Sequence, residues 1–277
     1  MLYVVASPLG NISDITYRAV RVLNEVDLIA AEDTRHSRAL LAHYGVETRT
    51  ISLHEHNEQA RARTLTFRLL AGESIALISD AGTPVISDPG YRLIAAARAA
   101  GVRVSPVPGP SALIAALSAA GLPTDRFVFE GFLPAKAGAR RRRLEELTAE
   151  PRTLVIYESS HRIEASIGDM RDAFGPERRA VIARELTKTF ETLHHDDLAA
   201  LCQWLADDAN QRRGEFVVIV AGAPELEESN TADVRRVLSL LMPELPLKTA
   251  ARIAAQLTGE TRNRVYEMAL ELSRNDN

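Results

Sequence analysis

The most informative segment of this chain is Ser79-Asp80-Ala81-Gly82-Thr83-Pro84-Val85-Ile86-Ser87-Asp88-Pro89-Gly90. It follows a short apolar run, residues 75–78, which predicts a buried strand, and it precedes a helical pattern at residues 91–100. Its two glycines allow positive φ and close backbone approach, and its two prolines stiffen the loop. In open α/β sheets, ligands bind at the carboxyl ends of the strands, where this loop would lie. We therefore predict a ligand-binding loop, with a tight strand-to-helix turn as the plainer interpretation.

Apolar strand patterns alternate with helical patterns over residues 1–120. The predicted strands are residues 2–6, 27–31, 49–53, 74–79 and 102–107. The predicted helices are residues 15–25, 37–43, 57–70, 91–100 and 111–120. This alternation indicates an α/β domain with a mostly parallel, doubly wound sheet.

Polar and turn-forming residues follow each of these five strands. The segments are Ser7-Pro8-Leu9-Gly10-Asn11, Glu32-Asp33-Thr34-Arg35, His54-Glu55-His56-Asn57, Asp80-Ala81-Gly82-Thr83-Pro84 and Pro108-Gly109-Pro110-Ser111. In a parallel sheet, all five lie along one edge. The sequence therefore predicts an active cleft at that edge.

Residues 126–224 predict a second α/β domain, which residues 121–125 link to the first. Its predicted strands are residues 126–132, 153–157, 181–185 and 215–221, and its predicted helices are residues 140–148, 161–174 and 198–206. An acidic, polar link follows, made of Glu225, Glu227, Glu228, Ser229 and Asn230. It leads to a helical tail, residues 230–277, with helical patterns at 232–241, 248–257 and 262–272. We prefer plain packing of this tail to a nucleic-acid-binding helix pair, which is the alternative.

Composition narrows the class of protein. A chain of 277 residues with 46% hydrophobic residues is expected to be a soluble globular protein of two domains. The single cysteine, Cys202, excludes an intrachain disulfide and predicts a reducing, cytoplasmic compartment. Residues 1–6 are expected to form a strand and not a signal peptide, and no apolar stretch is long enough to span a bilayer.

Arginine dominates the basic residues. Only three of the 33 basic residues are lysines, so the other 30 are arginines, and the net charge of −4 does not by itself predict nucleic-acid binding. The run Arg140-Arg141-Arg142-Arg143 places four guanidinium groups side by side, where they repel one another unless they face water or an anion. A solvated helix start and a phosphate contact explain this run equally well.

Several common chemistries lack their motifs. The chain has no P-loop motif, no G-x-G-x-x-G after its first strand and no G-x-S-x-G elbow. His54 and His56 have the spacing of a metal-binding pair, but no nearby cysteine or histidine cluster completes a tetrahedral site. We therefore predict no metal.

Motifs along the chain resemble, in order, those of the bacterial ribosomal RNA small subunit methyltransferase I family. They comprise Val5-Ala6-Ser7-Pro8-Leu9-Gly10-Asn11-Ile12-Ser13-Asp14-Ile15-Thr16, Ala31-Glu32-Asp33-Thr34-Arg35, His54-Glu55-His56-Asn57, the loop of residues 79–90, Pro108-Gly109-Pro110-Ser111-Ala112, Gly131-Phe132-Leu133-Pro134, Tyr157-Glu158-Ser159-Ser160-His161-Arg162 and Ala183-Arg184-Glu185-Leu186-Thr187-Lys188. The chain departs from the family pattern at Ser7, where threonine is common, and at Ser160, where proline is common.

The resemblance implies the tetrapyrrole methylase fold, in which two α/β domains enclose S-adenosylmethionine and a small helical region follows. It also implies a homodimer that methylates the 2′-oxygen of a cytidine ribose in the decoding region of 16S ribosomal RNA, with the 30S ribosomal subunit as substrate. The cofactor residues implied by the resemblance are Pro8, Leu9, Gly10, Asp80, Thr83, Ser111, Ala112, Glu158, Leu186 and Phe216.

Such a reaction requires that the ribose 2′-hydroxyl lose its proton. A ribose 2′-hydroxyl is a poor nucleophile until its proton leaves, so a general base, or a lysine that lowers its pKa, would assist. Lys188 is our candidate, and the rivals are Glu32, Asp33 and His54. The candidates for RNA phosphate contacts are Arg35, Arg38, Arg140, Arg141, Arg142, Arg143 and Arg162.

Two other functions compete with this interpretation. One is a methyltransferase of the same fold that acts on a small tetrapyrrole, and the other is a non-catalytic, ribosome-associated RNA-binding protein. The polar segments that begin at Glu32 and His54 suit a polar substrate better than an apolar macrocycle.

Overall fold

The structure of this protein is a computed structural model, which describes residues 1–224 and 227–275. The chain divides into two compact units, Met1–Ala223 and Pro224–Asn277. The first unit contains two lobes, each built around one five-stranded sheet. In the described ranges, no helix has both the length and the apolar character needed to cross a membrane.

The N-terminal lobe is the doubly wound α/β domain that the sequence predicts. Its strands are β1 (Leu2–Val5), β2 (Leu28–Ala31), β3 (Thr50–Ser52), β4 (Ile75–Ile78) and β5 (Val104–Val107). Its helices are α1 (Tyr17–Glu25), α2 (Thr34–His43), α3 (Glu58–Leu70), α4 (Tyr91–Ala99) and α5 (Ala112–Ala119). The five strands are parallel, in the order β3-β2-β4-β1-β5. This sheet confirms the predicted class.

Each face of this sheet buries its own apolar core, as expected for a doubly wound sheet. On one face, Ile29 and Ile78 pack with Leu23 of α1. On the other face, Leu28 and Leu77 pack with side chains of α3 and α4. Because both faces are covered, ligands reach this lobe at the carboxyl edge of the strands.

Helix α2 begins three residues before its predicted start at residue 37. The Asp33 carboxylate accepts a hydrogen bond from the Arg35 backbone N–H, so the helix is capped at Asp33 and begins at Thr34. Periodicity alone missed this turn because its residues, Thr34, Arg35 and His36, are polar.

The second lobe has a mixed sheet with a strand that the sequence did not reveal. Its strands are β6 (Phe127–Phe132), β7 (Thr153–Ser159), β8 (Arg179–Arg184), β9 (Thr192–Asp197) and β10 (Glu215–Val220), and its helices are α6 (Ala137–Glu146), α7 (Ile163–Phe174) and α8 (Leu198–Asp207). The order is β6-β7-β10-β8-β9, with only β6 and β7 parallel. We did not predict β9, because this edge strand carries the polar sequence Thr-Leu-His-His-Asp-Asp.

Helix α5 joins the two lobes. It follows β5 of the first sheet, but Ala116 and Leu117 pack in one cluster with Val217 and Ile219 of β10. The opposite face of the second sheet packs against α6, α7 and α8. The carboxyl edge of the first sheet therefore lies beside the second lobe.

The second unit is a set of three helices with its own apolar core. The helices are α9 (Glu227–Leu241), α10 (Leu247–Thr258) and α11 (Arg262–Asn275). Val234 of α9, Ala250 of α10 and Val265 of α11 are buried together. The predicted polar link was wrong at Glu227, Glu228, Ser229 and Asn230, which form the first turn of α9; Glu225 lies outside the described residues. Acidic residues are favourable at a helix N-terminus, so a first turn resembles a linker in sequence.

Candidate functional site

A cavity of about 380 Å³ lies between the two lobes. Its walls include the loops after β1, β4 and β5 on one side and residues of β6, β7 and β10 on the other. Seven of the ten predicted cofactor residues line it: Leu9, Thr83, Ser111, Ala112, Glu158, Leu186 and Phe216. The other three, Pro8, Gly10 and Asp80, belong to the same loops but are not part of the wall. The cofactor role of all ten stays a prediction.

Hydrogen bonds tie three loops of the N-terminal lobe together. Ser7 and Gly82 exchange two backbone hydrogen bonds, of 2.9 and 3.0 Å, which form an isolated bridge. The Thr83 hydroxyl donates to the Pro110 carbonyl over 2.9 Å. The loops after β1, β4 and β5 therefore present one preformed surface to the cavity.

Two loops beside the cavity contain residues in the left-handed backbone region. Val85 and Ser87 have φ of 77° and 68° in the loop after β4, and Glu185 and Thr187 have φ of 51° and 64° in the loop after β8. Each such residue costs about 1–3 kcal/mol, most for the β-branched ones, and such positions concentrate at functional sites. Both loops are thus held in conformations that local preference alone would not select.

Carboxylates also gather at the carboxyl ends of β2 and β4, outside the residues that line the cavity. The Asp33 backbone N–H donates to Asp80 Oδ1 over 3.1 Å, and the Asp80 N–H donates to Glu32 Oε2 over 3.3 Å. Burial raises the pKa of Glu32, and the charge of Asp80 adds to this effect. By contrast, hydrogen bonds from Arg35 lower the pKa of Asp33 to about 2. The structure therefore brings two of the predicted catalytic candidates, Glu32 and Asp33, next to Asp80.

Asp88 is the carboxylate that the N-terminal lobe contributes to the cavity wall, and sequence reasoning did not select it. Burial raises its pKa to about 6, with a further contribution from the charge of Glu32. Both Asp80 and Asp88 belong to the loop after β4, so sequence alone offered no basis for preferring either. The signal available was the second aspartate of a loop already predicted to bind a ligand.

Lys188 is held between two carboxylates. Its Nζ lies 2.9 Å from Glu185 Oε1 and 2.9 Å from Glu215 Oε2, and Glu215 lines the cavity. Partial burial lowers the pKa of Lys188, but its hydrogen bonds to Glu185 and Glu215 outweigh this and raise the pKa above its ordinary value. Lys188 therefore stays protonated, and only the cationic role predicted for it is compatible with this geometry.

His54 lies at the end of β3 and is not part of the cavity wall. Its Nε2 is 2.9 Å from Asn57 Nδ2, whereas its buried Nδ1 has no hydrogen-bond partner in the described part of the chain. The rings of His54 and His56 are 6.0 Å apart. Within residues 1–224 and 227–275, no group of three metal-ligating side chains is assembled. His54 stays a rival candidate without a contact to the cavity.

The four-arginine run does not form one cationic patch, because successive residues of a helix point about 100° apart. Arg140 is buried against Asp169 at 2.6 Å, with 6% of each side chain exposed. Arg143 pairs with Glu130 at 2.8 Å. Arg141 also contacts Asp169 but is 64% exposed, and Arg142 is exposed. The geometry thus favours Arg141 and Arg142 over Arg140 and Arg143 as phosphate contacts.

The other predicted phosphate contacts also comprise one arginine paired with a buried carboxylate and two exposed arginines. Arg162 Nη2 lies 2.7 Å from Glu158 Oε1, and the Glu158 side chain is fully buried. Glu158 Oε2 also accepts from the Ser166 hydroxyl at 2.5 Å, so this carboxylate is saturated inside the second lobe. Arg35 is exposed and pairs with Asp33 at 2.9 Å, and Arg38 is exposed.

Known proteins resemble the chain over nearly its whole length. Residues 1–202 match the family Tetrapyrrole (Corrin/Porphyrin) Methylases, and residues 228–273 match the RsmI C-terminal HTH domain. A ribosomal RNA small subunit methyltransferase I from Pseudomonas aeruginosa is 60% identical over 272 residues, which cover 98% of this chain and 96% of that protein. The chain belongs to the ribosomal RNA small subunit methyltransferase I family.

Further comparisons agree with this membership. A ribosomal RNA small subunit methyltransferase I from Escherichia coli O157:H7 is 54% identical over 270 residues, covering 98% of this chain and 94% of that protein. The crystal structure of uroporphyrin-III C-methyl transferase from Thermus thermophilus, complexed with S-adenyl homocysteine, superposes with a TM-score of 0.55 at 20% identity. The superposition covers 79% of this chain and 96% of the chain of that transferase. At this identity, the likeness shows the fold, the tetrapyrrole methylase fold that the sequence motifs implied.

The cavity has the donor set that the family's cofactor needs. S-adenosylmethionine combines a cationic sulfonium centre, an amino acid end with an ammonium and a carboxylate group, and an adenosine. Leu9, Leu186 and Phe216 supply apolar surface for its uncharged parts. Ser111 is the N-cap residue of α5, and its side chain makes no capping hydrogen bond within the described residues. Its hydroxyl is therefore available to a ligand. The residues present therefore fit the cofactor.

Proposed function

We propose that this protein methylates the 2′-oxygen of a cytidine ribose in the decoding region of 16S ribosomal RNA, with the 30S subunit as substrate. As a member of its family, the chain is a ribosomal RNA methyltransferase that uses S-adenosylmethionine. The nucleotide, the methylated atom and the assembled subunit are the proposed part.

The observation that carries the proposal is the composition of the cavity between the lobes. Its volume, about 380 Å³, lies within the usual range for a small-molecule site. The second-lobe wall includes the apolar side chains of Leu186 and Phe216, whereas the loop after β4 brings Asp88 to the opposite wall. The bound cofactor would supply an electrophilic methyl group. The protein's own residues would position a ribose hydroxyl in line with it and receive its proton.

The rim of the cavity suits an unstacked nucleotide. Phe132 is 53% exposed and lines the cavity beside the exposed Ile86. RNA-binding proteins stack unpaired bases on such aromatic rings, and enzymes that modify a nucleotide commonly extrude it from its helix. We propose that the target base stacks on Phe132 while its ribose enters the cavity.

We propose that three segments of the chain have different roles. Residues 1–120 would form the substrate and cofactor cleft, and residues 126–224 would close it. Residues 230–277 would bind RNA, with Asp276 and Asn277 outside the described residues.

In the three-helix unit, Gly259 adopts φ of 72° in the turn between α10 and α11, as expected for a helix-turn-helix. Lys248 and Arg252 are exposed one turn apart on α10. This supports the helix-pair alternative over plain packing.

Two further parts of the proposal concern the assembly and its location. We propose a homodimer, by analogy with the family, and a cytoplasmic location, where ribosomal subunits are found. Light scattering across a range of protein concentrations tests the dimer, because a constant monomer mass would contradict it.

The experiment offers the purified protein three substrates with methyl-labelled S-adenosylmethionine: 30S subunits that lack this modification, protein-free 16S RNA, and a porphyrinogen. We expect label on one cytidine ribose of the 30S subunit, located by nuclease digestion and mass spectrometry. Label on a base, or on the porphyrinogen, would contradict the proposal. Stoichiometric RNA binding without methyl transfer would identify a non-catalytic RNA-binding protein instead.

A further inference from the structure

Asp88 is one of four residues on the cavity wall with a carboxyl or phenol group, the others being Tyr157, Glu158 and Glu215, within the described part of the chain. The Glu158 carboxylate is saturated by Arg162, Ser159 and Ser166. Glu215 is bound by the Lys188 ammonium. Each of these two carboxylates is therefore already engaged by other groups of the protein.

Tyr157 is also unsuited to accept a proton. Its hydroxyl oxygen accepts a hydrogen bond from the Leu113 N–H over 3.0 Å. Burial raises the pKa of Tyr157 above its ordinary value, so the phenol remains neutral. Among the ionisable groups of the cavity wall, Asp88 is left as the candidate acceptor.

The backbone around Asp88 is held firmly. Val85 and Ser87 are both left-handed, and the Ser87 hydroxyl lies 3.3 Å from where a Cβ on Gly131 would be. At the end of the loop, Glu58 Oε1 accepts hydrogen bonds from Gly90 N–H at 3.0 Å and Arg92 N–H at 2.7 Å. Contacts from both lobes thus fix where Asp88 lies.

The charges around Asp88 favour proton uptake. The negative charges of Glu32, at the end of β2, and of Asp80, at the end of β4, both raise the pKa of Asp88, and the charge of Asp88 in turn raises the pKa of Tyr157 on β7. The Ser79 side chain lowers the pKa of Asp88, which partly offsets the effects of burial and of the two negative charges. A carboxyl whose pKa is about 6 is mostly ionised at neutral pH, yet it holds a proton far better than an ordinary aspartate.

We propose that Asp88 is the general base of the methyl transfer, so that its carboxylate accepts the proton of the ribose 2′-hydroxyl. This inference rests on the proposed function. The 2′-oxygen forms the new C–O bond to the methyl carbon as the S–C bond breaks, and that electron pair stays on sulfur. The hydroxyl proton moves to the Asp88 carboxylate, which later releases it to water.

The test compares the wild type with Asp88→Asn, which has the same shape but no carboxylate. We expect single-turnover methyl transfer to 30S subunits to fall about 100-fold, the usual range for loss of a general base. The wild-type rate should rise with pH to a plateau, with an apparent pKa near 6, and Asp88→Asn should lose that rise. Affinity for S-adenosylmethionine, measured by calorimetry, should change less than about threefold because Asp88 acts on the hydroxyl.

Two further measurements keep the test decisive. Carbon NMR of cofactor-free protein labelled at aspartate carboxyls should show one group titrating near pH 6, absent in Asp88→Asn. Removing the nearby charge with Glu32→Gln should move both this titration and the pH–rate rise to lower pH. If Asp88→Asn fails to fold, the Glu32→Gln variant still reports on the titration of Asp88. Asp172→Asn, an exposed residue paired with Arg171 on α7, is the matched control and should behave as the wild type.

Each contrary result has its own meaning. An Asp88→Asn variant that keeps the wild-type rate and pH profile would show that Asp88 is not the base, while the proposed function would stand. A variant that loses cofactor affinity would show that Asp88 holds the cofactor, which also overturns the inference. A wild type that transfers no methyl group to any RNA would instead remove the proposed function.

Discussion

The side chain of Lys188 lies directly against the backbone of Gly10. A Cβ added to Gly10 would be only 2.2 Å from Lys188 Cγ. Nearby, the Asn11 N–H donates to the Thr187 hydroxyl over 3.1 Å. The loop after β8 is therefore packed onto the loop after β1, which joins the two lobes at one end of the cavity.

Replacing Lys188 with Met separates its two contributions. Methionine keeps an aliphatic stem over Gly10 but removes the ammonium group that contacts Glu185 and Glu215. We expect turnover to fall at least about tenfold with cofactor affinity nearly intact, because a fixed positive charge beside the reaction is lost. Unchanged turnover in a radiolabel assay would remove Lys188 from the catalytic site.

Gly10→Ala tests the contact between the loops. The added methyl group must displace the Lys188 stem, and such overpacking costs about 1–3 kcal/mol. We expect a lower melting temperature and roughly tenfold weaker cofactor binding. The double variant Gly10→Ala/Lys188→Ala should recover part of both losses. Purely additive effects would show that the two residues do not interact.

The exposed arginines of α6 are testable by their salt dependence. Replacing Arg141 and Arg142 with Ala should weaken RNA binding and reduce the slope of log affinity against log salt by up to about 0.7–0.9 for each lost phosphate contact. Arg171→Ala, a surface arginine paired with Asp172, is the control and should keep the wild-type slope. If the slope of the double variant is also unchanged, these arginines do not contact phosphate.

Phe132→Leu examines base stacking at the cavity rim. Leucine keeps apolar surface but has no ring, and stacking of one base on an aromatic residue contributes about 1–3 kcal/mol. We expect RNA affinity to fall about 5- to 100-fold with cofactor affinity unchanged. Phe67→Leu, at an exposed phenylalanine of α3 outside the cavity wall, is the matched control. Equal effects of the two variants in a filter-binding assay would argue against stacking on Phe132.

The carboxyl of Asp88 also predicts a pH dependence of stability. Its pKa of about 6 in the folded protein exceeds the ordinary value of 3.8 for an aspartate, so the folded state binds this proton more tightly. Its contribution is therefore fully present below about pH 3.8 and is lost as the pH rises through about 6. Allowing for partial exposure to solvent, we expect the wild type to lose about 1–2 kcal/mol relative to Asp88→Asn over this window. Urea unfolding of both proteins measures this difference, and parallel curves would contradict it.

Most of the fold follows from local sequence patterns. The interior strands β2 and β4 of the N-terminal lobe are continuous, buried apolar runs, because both faces of that sheet are covered. Strand β9 lacks such a run, since it lies at an edge, and its pairing with β8 was not predictable from its own residues. The first turn of α9 was mistaken for a linker because acidic and polar residues suit both.

The site was predictable only in part. The rule that ligands bind at the carboxyl edge of parallel strands located the loops, and seven of the ten predicted cofactor residues line the cavity. The rule did not distinguish Asp80 from Asp88, because their difference depends on the left-handed turns at Val85 and Ser87. Nor did it separate Arg142, which faces solvent, from Arg140, which is buried against Asp169 on another helix.

Local sequence patterns were enough to predict most strands and helices, the loops at the sheet edge and the family, because these depend on residues close together in the chain. Which aspartate of the loop after β4 reaches the cavity, and which charges are neutralised, became known from the folded structure alone. These outcomes depend on contacts between distant segments, such as Glu32 with Asp80 and Gly10 with Lys188, whose energies exist only once the chain has folded.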